Sequence, residues 1–188
     1  MKVDKARKCT LSRKTKETDI SITLNIDGSG NIEVDVPDKF LRHMLETLAK
    51  YANFDLKLRA KGDLAHHLIE DVAIVLGKAL REAIGDIPIK RVAHAVVPMD
   101  EALVMASIDL IDRPYVEVSV PDLMYDHFFR SFAMESRATI HSQIIRGKDE
   151  HHIIEATFKA LGISLKDATR KRDGVLSTKS KVEWKRKG

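Results

Sequence analysis

Hydrophobic residues recur along this chain with two alternating periods. From Asp19 to Asp27, DISITLNID places an apolar residue at every second position, the period of a strand with one buried face. A GSG turn follows and NIEVDV, residues 31–36, alternates again, so the two runs read as a hairpin. The spacing becomes helical over Lys39–Tyr51 and alternates once more over Phe54–Gly62. A long helical pattern covers His66–Ile84, with Asp63 as the expected cap and Gly85 as the stop. This half reads β-β-α-β-α. The second half follows the same order: strands in residues 90–100 and 102–110, YVEVSV extending or following the latter, a helix over Asp126–Ser136, a strand over 138–147 and a helix over Glu150–Thr169. No Pro-, Gly- or Ser-rich linker divides the halves, which predicts an α+β protein of two fused, similar units, residues 1–87 and 88–188, packed as one.

The duplication is written in the long helices. HHLIEDVAIVLGKALREA and HHIIEATFKALGISLKDA match at both histidines and at Ile69/Ile154, Glu70/Glu155, Leu76/Leu161, Gly77/Gly162, Leu80/Leu165 and Ala83/Ala168. Counting back from each His pair reaches His43 in LRHMLETL and His127 in YDHFFRSF. The repeat thus sorts eight histidines into six paired ones and two, His94 and His141, without counterparts.

Composition narrows the setting. The chain has 188 residues, 44% hydrophobic and 32% charged, which is globular. Cys9 is the only cysteine, so no intrachain disulfide forms and a reducing cytoplasm is expected. No apolar run approaches the roughly 20 residues of a membrane span, and the start lacks the apolar stretch of a signal peptide. The net charge of +4 is concentrated in the opening MKVDKARKCTLSRKTK and closing STKSKVEWKRKG, which read either as solvated tails or as anion contacts. Aromatics are only 5%, which argues against a nucleic-acid surface.

Each half offers the same donors: His43, His66, His67 and Glu70, then His127, His151, His152 and Glu155. Imidazoles with carboxylates suit Mn, Fe, Zn, Co or Ni. His66 and Glu70 lie four apart and share a helix face, while His67 points about 100° away. We therefore expect His66 with Glu70 to serve one metal and His67 another, and likewise His151 with Glu155 and His152. The order of residues is not that of the zinc proteases.

HHLIEDVAIVLGKAL, HHIIEATFKALG, RHML, PMDEAL, STK and the opening RKTKET together resemble the imidazoleglycerol-phosphate dehydratase family, over about residues 13–180. The resemblance implies two halves that are each a four-stranded sheet with two helices on one face, as in the second domain of ribosomal protein S5. It implies a lyase of histidine biosynthesis that dehydrates D-erythro-imidazole glycerol phosphate to imidazole acetol phosphate. It also implies two Mn²⁺ ions per active site, held by the eight residues above and stabilising a deprotonated imidazole. Glu17 is implied as the proton shuttle. Arg91, Arg113, Lys159, Ser177 and Lys179 are implied as the phosphate clamp, and Asp71 as a partner of a ligating histidine. The implied partners are a small phosphorylated substrate and other copies of the chain, in a 24-subunit assembly whose sites lie between subunits. Arg42, Leu68, Ser180 with the basic tail, and a shorter segment between Gly62 and His66 depart from the family pattern. A metal-dependent phosphohydrolase and a metal-stapled assembly protein are the competing readings.

Overall fold

The structure, a computed structural model, describes residues 7–177. The first half comprises β1 (Lys8–Lys14), β2 (Thr18–Asn25), β3 (Ile32–Asp35), α1 (Lys39–Ala52), β4 (Asp55–Gly62) and α2 (Ala65–Ile84). The second comprises β5 (Val92–Met99), β6 (Ala102–Asp109), β7 (Tyr115–Glu117), α3 (Leu123–Ser136), β8 (Thr139–Arg146) and α4 (Glu150–Ala168). Each half forms one four-stranded sheet, ordered β1-β2-β4-β3 and β5-β6-β8-β7. The fold is the expected duplicated α+β architecture, with one strand more in the first half than the sequence pattern gives.

That strand, β1, lies in the basic opening, which is therefore no solvated tail over these residues. Its inward positions are Cys9, Leu11 and Arg13, and a charge at an inward position hides the alternation. Arg7 just before it is buried, pairing with Asp27 at 2.6 Å and donating to the Thr169 carbonyl at the far end of the chain.

The expected hairpin between residues 19–27 and 31–36 does not form. β4 inserts between the two strands, pairing antiparallel with β2 and parallel with β3. Periodicity fixes which face a residue takes and leaves the neighbour open. The GSG segment wraps the start of β4 instead: Asp55 Oδ1 accepts from the Ser29 and Asn31 amides at 2.9 and 3.0 Å. A Cβ on Gly28 would sit 2.4 Å from the Asp55 nitrogen, so only glycine allows this wrap.

Asp38, Asp122 and Asp149 cap α1, α3 and α4 through their side chains. Asp63 is not the cap of α2. Leu64 holds that position without a side-chain bond, because the loop is short and Asp63 is engaged elsewhere.

The inner sheet faces bury Ile20, Ile22, Leu24, Leu56 and Leu58 in one half and Val104, Ala106, Ile108 and Ile140 in the other. α2 covers β1, β2 and β4, α1 lies on β3, α4 covers β5 and β6, and α3 lies on β7. The halves then meet helix to helix, α2 on α3 and α1 on α4. Phe128, Phe129 and Phe158 fill the seam, with ring centroids 4.9–5.5 Å apart. Among the described residues no helix is long and apolar enough to cross a membrane.

The matched glycines of the repeat mark the closest approach. A Cβ on Gly77 would lie 2.6 Å from the Phe132 carbonyl oxygen of α3, and one on Gly162 2.8 Å from the Leu48 carbonyl oxygen of α1. Glycine inside a helix normally costs about 1 kcal/mol relative to alanine. Here the sign reverses: Gly77→Ala and Gly162→Ala should each destabilise by about 1–3 kcal/mol, the cost of overpacking, read from denaturant midpoints. A stabilised variant would refute the close contact.

Candidate metal centre

Because α1 packs on α4, residues from opposite halves come together at their N-terminal ends. Glu155 Oε2 lies 3.2 Å from His43 Nε2 and 3.1 Å from His151 Nε2. One donor atom from each of the three falls within 4.8 Å of the others, a triad able to hold a metal. Two exposed imidazoles close over a buried carboxylate. Burial pushes the Glu155 carboxyl up, but hydrogen bonds from Lys159 and His43 outweigh it and hold it below the usual range. Lys159 reaches Glu155 Oε1 at 2.9 Å and also contacts Met99 Sδ and the Tyr51 ring.

The α2–α3 pair builds a looser version of the same arrangement. His66 Nε2 stands 3.5 Å from Glu70 Oε2, and the His66 and His127 rings are 5.4 Å apart. Each cluster thus takes one histidine from the short helix of one half and a histidine and a glutamate from the long helix of the other.

His67 and His152 turn away from their neighbours, with rings at 73° and 90° to those of His66 and His151. His67 Nδ1 bonds Asp63 Oδ1 at 2.8 Å, with Glu17 Oε2 at 3.9 Å. His152 Nδ1 bonds Glu101 Oε2 at 2.6 Å. The Asp63 bond raises the His67 pKa and the Glu101 bond raises that of His152. Glu101 itself, accepting from the Asp149 amide, His152 and the Lys148 amide, is pulled down to about 2. Sequence reasoning missed Asp63 and Glu101 as histidine partners. The signal was available for Asp63, which lies one helical turn before His67.

The segment Arg13-x-Thr-x-Glu-Thr forms the β1–β2 turn. Thr15 Oγ1 accepts from the Glu17 and Thr18 amides, and Arg13 and Thr18 both donate to Asp71 Oδ2. Asp71 was expected to partner a ligating histidine. Through Oδ2 it clamps the turn that displays Glu17 onto α2, and its charge also acts on His67. Its repeat counterpart is Ala156, which shares a buried apolar cluster with Ala102, the counterpart of Thr18.

Of the expected phosphate residues, Arg91, Arg113, Lys159 and Ser177 fall within the described residues. Lys159 is engaged with Glu155. Arg91, in a left-handed conformation with φ 73°, pairs with Asp109 and donates to the Leu176 carbonyl, which brings it beside Ser177. Arg113 is exposed in the β6–β7 loop. Lys179 and Ser180 lie outside the described residues. Of the departures, Arg42 donates to the Val36 carbonyl at 2.7 Å. Leu68 is buried against Gly62, just before the loop that leads into α2.

Fold and site together define a duplicated α+β enzyme with a histidine–carboxylate triad, able to hold a metal, at the seam between its halves. The model of the family described as imidazoleglycerol-phosphate dehydratase matches residues 37–165, and the chain belongs to that family. The enzyme of that name from Acetivibrio thermocellus is 47% identical over 190 residues, 92% of this chain and 97% of the relative. That from Clostridium novyi is 44% identical with the same coverage. The crystal structure of the Pyrococcus furiosus enzyme superposes with TM-score 0.84 at 39% identity, covering 92% of this chain and all of that one. The Staphylococcus aureus structure gives 0.80 at 30% identity, covering 88% and 99%. The activity is accordingly that of a hydro-lyase in histidine biosynthesis.

Both raised histidines gain partners in the folded state, so their bonds stabilise fully below the unfolded value near 6.5 and fade as pH climbs through the higher folded values. In metal-free protein, the NMR titration midpoints of His67 and His152 should both exceed 6.5. Glu101→Ala should lower only that of His152. Midpoints at or below the free value would disprove the bonds.

Proposed function

We propose that this chain dehydrates D-erythro-imidazole glycerol phosphate to imidazole acetol phosphate with a pair of divalent metal ions, manganese being the expected metal. The observation that carries this reading is the triad His43, His151 and Glu155, drawn from opposite halves. Its donor set, two imidazoles and one carboxylate, fits a borderline divalent ion. His43, His151 and Glu155 would hold one ion, and His127, His66 and Glu70 the other. His67 and His152 bond carboxylates outside both clusters, which leaves their other ring nitrogens to serve ions shared with other copies of the chain; the expected assembly is a homo-oligomer of 24 subunits. A bound divalent ion supplies Lewis-acid stabilisation of the deprotonated imidazole ring.

The chain's residues do the rest. The hydroxyl on the carbon beside the ring departs, and the proton on the neighbouring carbon leaves to balance it as water, giving an enol that becomes the ketone. Glu17, held out on its clamped turn, takes that carbon-bound proton. Arg91, Arg113, Lys159, Ser177 and Lys179 bind the phosphate, the arginines through paired donors and the lysines as point charges. The reaction runs in the cytoplasm.

Metal-stripped protein should turn over imidazole glycerol phosphate only when Mn²⁺ is restored, followed through the enolised ketone. His43→Ala should cost more than the roughly 10–100-fold typical of losing an outer-shell partner, and Arg113→Ala should raise KM. Release of inorganic phosphate in place of ketone would reject the reading in favour of a phosphohydrolase.

A further inference from the structure

Glu17 and Glu101 occupy the same place in the repeat. Each sits in the turn between the first two strands of its half, immediately before the second strand, and each faces the second histidine of its His-His pair. Their surroundings differ sharply. Glu101 has both oxygens engaged: Oε1 accepts from the Lys148 and Asp149 amides at 3.1 and 2.9 Å, and Oε2 bonds His152 Nδ1 at 2.6 Å. In the first half Asp63 Oδ1 makes the corresponding bond to His67 Nδ1, and the Glu17 carboxylate stands 3.9 Å off. The second half has Lys148 at the repeat position of Asp63, so no carboxylate there relieves Glu101.

We infer that the two turn glutamates have divided their duties: Glu101 is a positioning residue that fixes the orientation and tautomer of His152, while Asp63 does this for His67 and thereby leaves Glu17 unbound for proton transfer. A carboxylate can only accept, so a neutral His152 must carry its proton on Nδ1 and present the bare Nε2 outward. Asp100 Oδ2 lies on that side, 3.4 Å from Nε2. The same logic gives His67 a bare Nε2 through Asp63. The inference rests on the reading that these two histidines hold metal.

Glu101→Gln separates positioning from bracing. Its amide oxygen can still accept from the Lys148 and Asp149 amides, but the NH₂ must then donate to His152 Nδ1. That forces the ring proton to Nε2, the atom needed for a metal. The experiment is a Mn²⁺ titration of the assembled protein, reading free ion by electron paramagnetic resonance, with ¹⁵N shifts of His152 in the metal-free state. Glu101→Gln should stay folded with a lowered thermal midpoint, because a neutral amide makes weaker bonds than the carboxylate, move the proton to Nε2 and weaken Mn²⁺ binding at one class of site by roughly 10–100-fold. Glu17→Gln should bind Mn²⁺ as the wild type does while losing kcat. Wild-type Mn²⁺ affinity and an unmoved proton in Glu101→Gln would overturn the positioning role. Equal weakening by Glu17→Gln would overturn the division of duties. A wild-type protein that binds no Mn²⁺ would reject the underlying metal reading, whatever Glu101 does. Should Glu101→Gln fail to fold, Asp63→Ala reads the same effect at His67, and wild-type affinity there would count against the inference.

Discussion

The close approach of helices from opposite halves governs this molecule. α2 meets α3 at Gly77 and α1 meets α4 at Gly162, each glycine set against a backbone carbonyl of its neighbour. The contacts advance in the same direction along both helices of a pair, from His43 and Glu155 at one end to Ala52 and Gly162 further on. A tight fit in the middle therefore fixes the spacing at the N-terminal ends, where the histidines and glutamates are. An interior so densely packed transmits small changes in volume rather than absorbing them. The spacing of the donor clusters is thus set largely by residues that touch no donor atom.

Much of this was legible beforehand, for identifiable reasons. The long helices carry both the hydrophobic period and the ligand pattern, and the repeat aligned them residue against residue. The separation of His66 from His67 followed from helical geometry alone. Strand neighbours were not legible: alternation gives a strand its faces, while the insertion of β4 between β2 and β3 depends on Asp55 gathering the amides of Ser29 and Asn31. β1 escaped because Arg13 occupies an inward position, and its reason for being there is Asp71 on α2, far away in sequence. The Asp63 cap failed for a related reason. The residue type suits a cap, yet its carboxylate is shared between the Leu64 amide and His67. Local rules fail where a side chain has been recruited by a functional neighbour.

The two halves are alike in scaffold and unlike in detail, and the differences cluster at the site. Asp71 and Thr18 face Ala156 and Ala102 across the repeat, and Asp63 faces Lys148. The first half has a polar clamp beneath its turn where the second has small apolar side chains. The triad with Glu155 is compact and carries Lys159, while the cluster with Glu70 is more open. Two donor clusters made from one blueprint thereby acquire different environments.

Crossed donation has a consequence for ancestry. Neither half can complete a cluster by itself, since each short-helix histidine serves the long helix of the other. A single half that paired with a copy of itself would, however, assemble both clusters at once, identical and related by a two-fold axis. The chain is in effect such a dimer with its two polypeptides joined end to end. Two copies joined in this way are free to differ, as the turns before the two His-His pairs do, with Asp63 in one and Lys148 in the other.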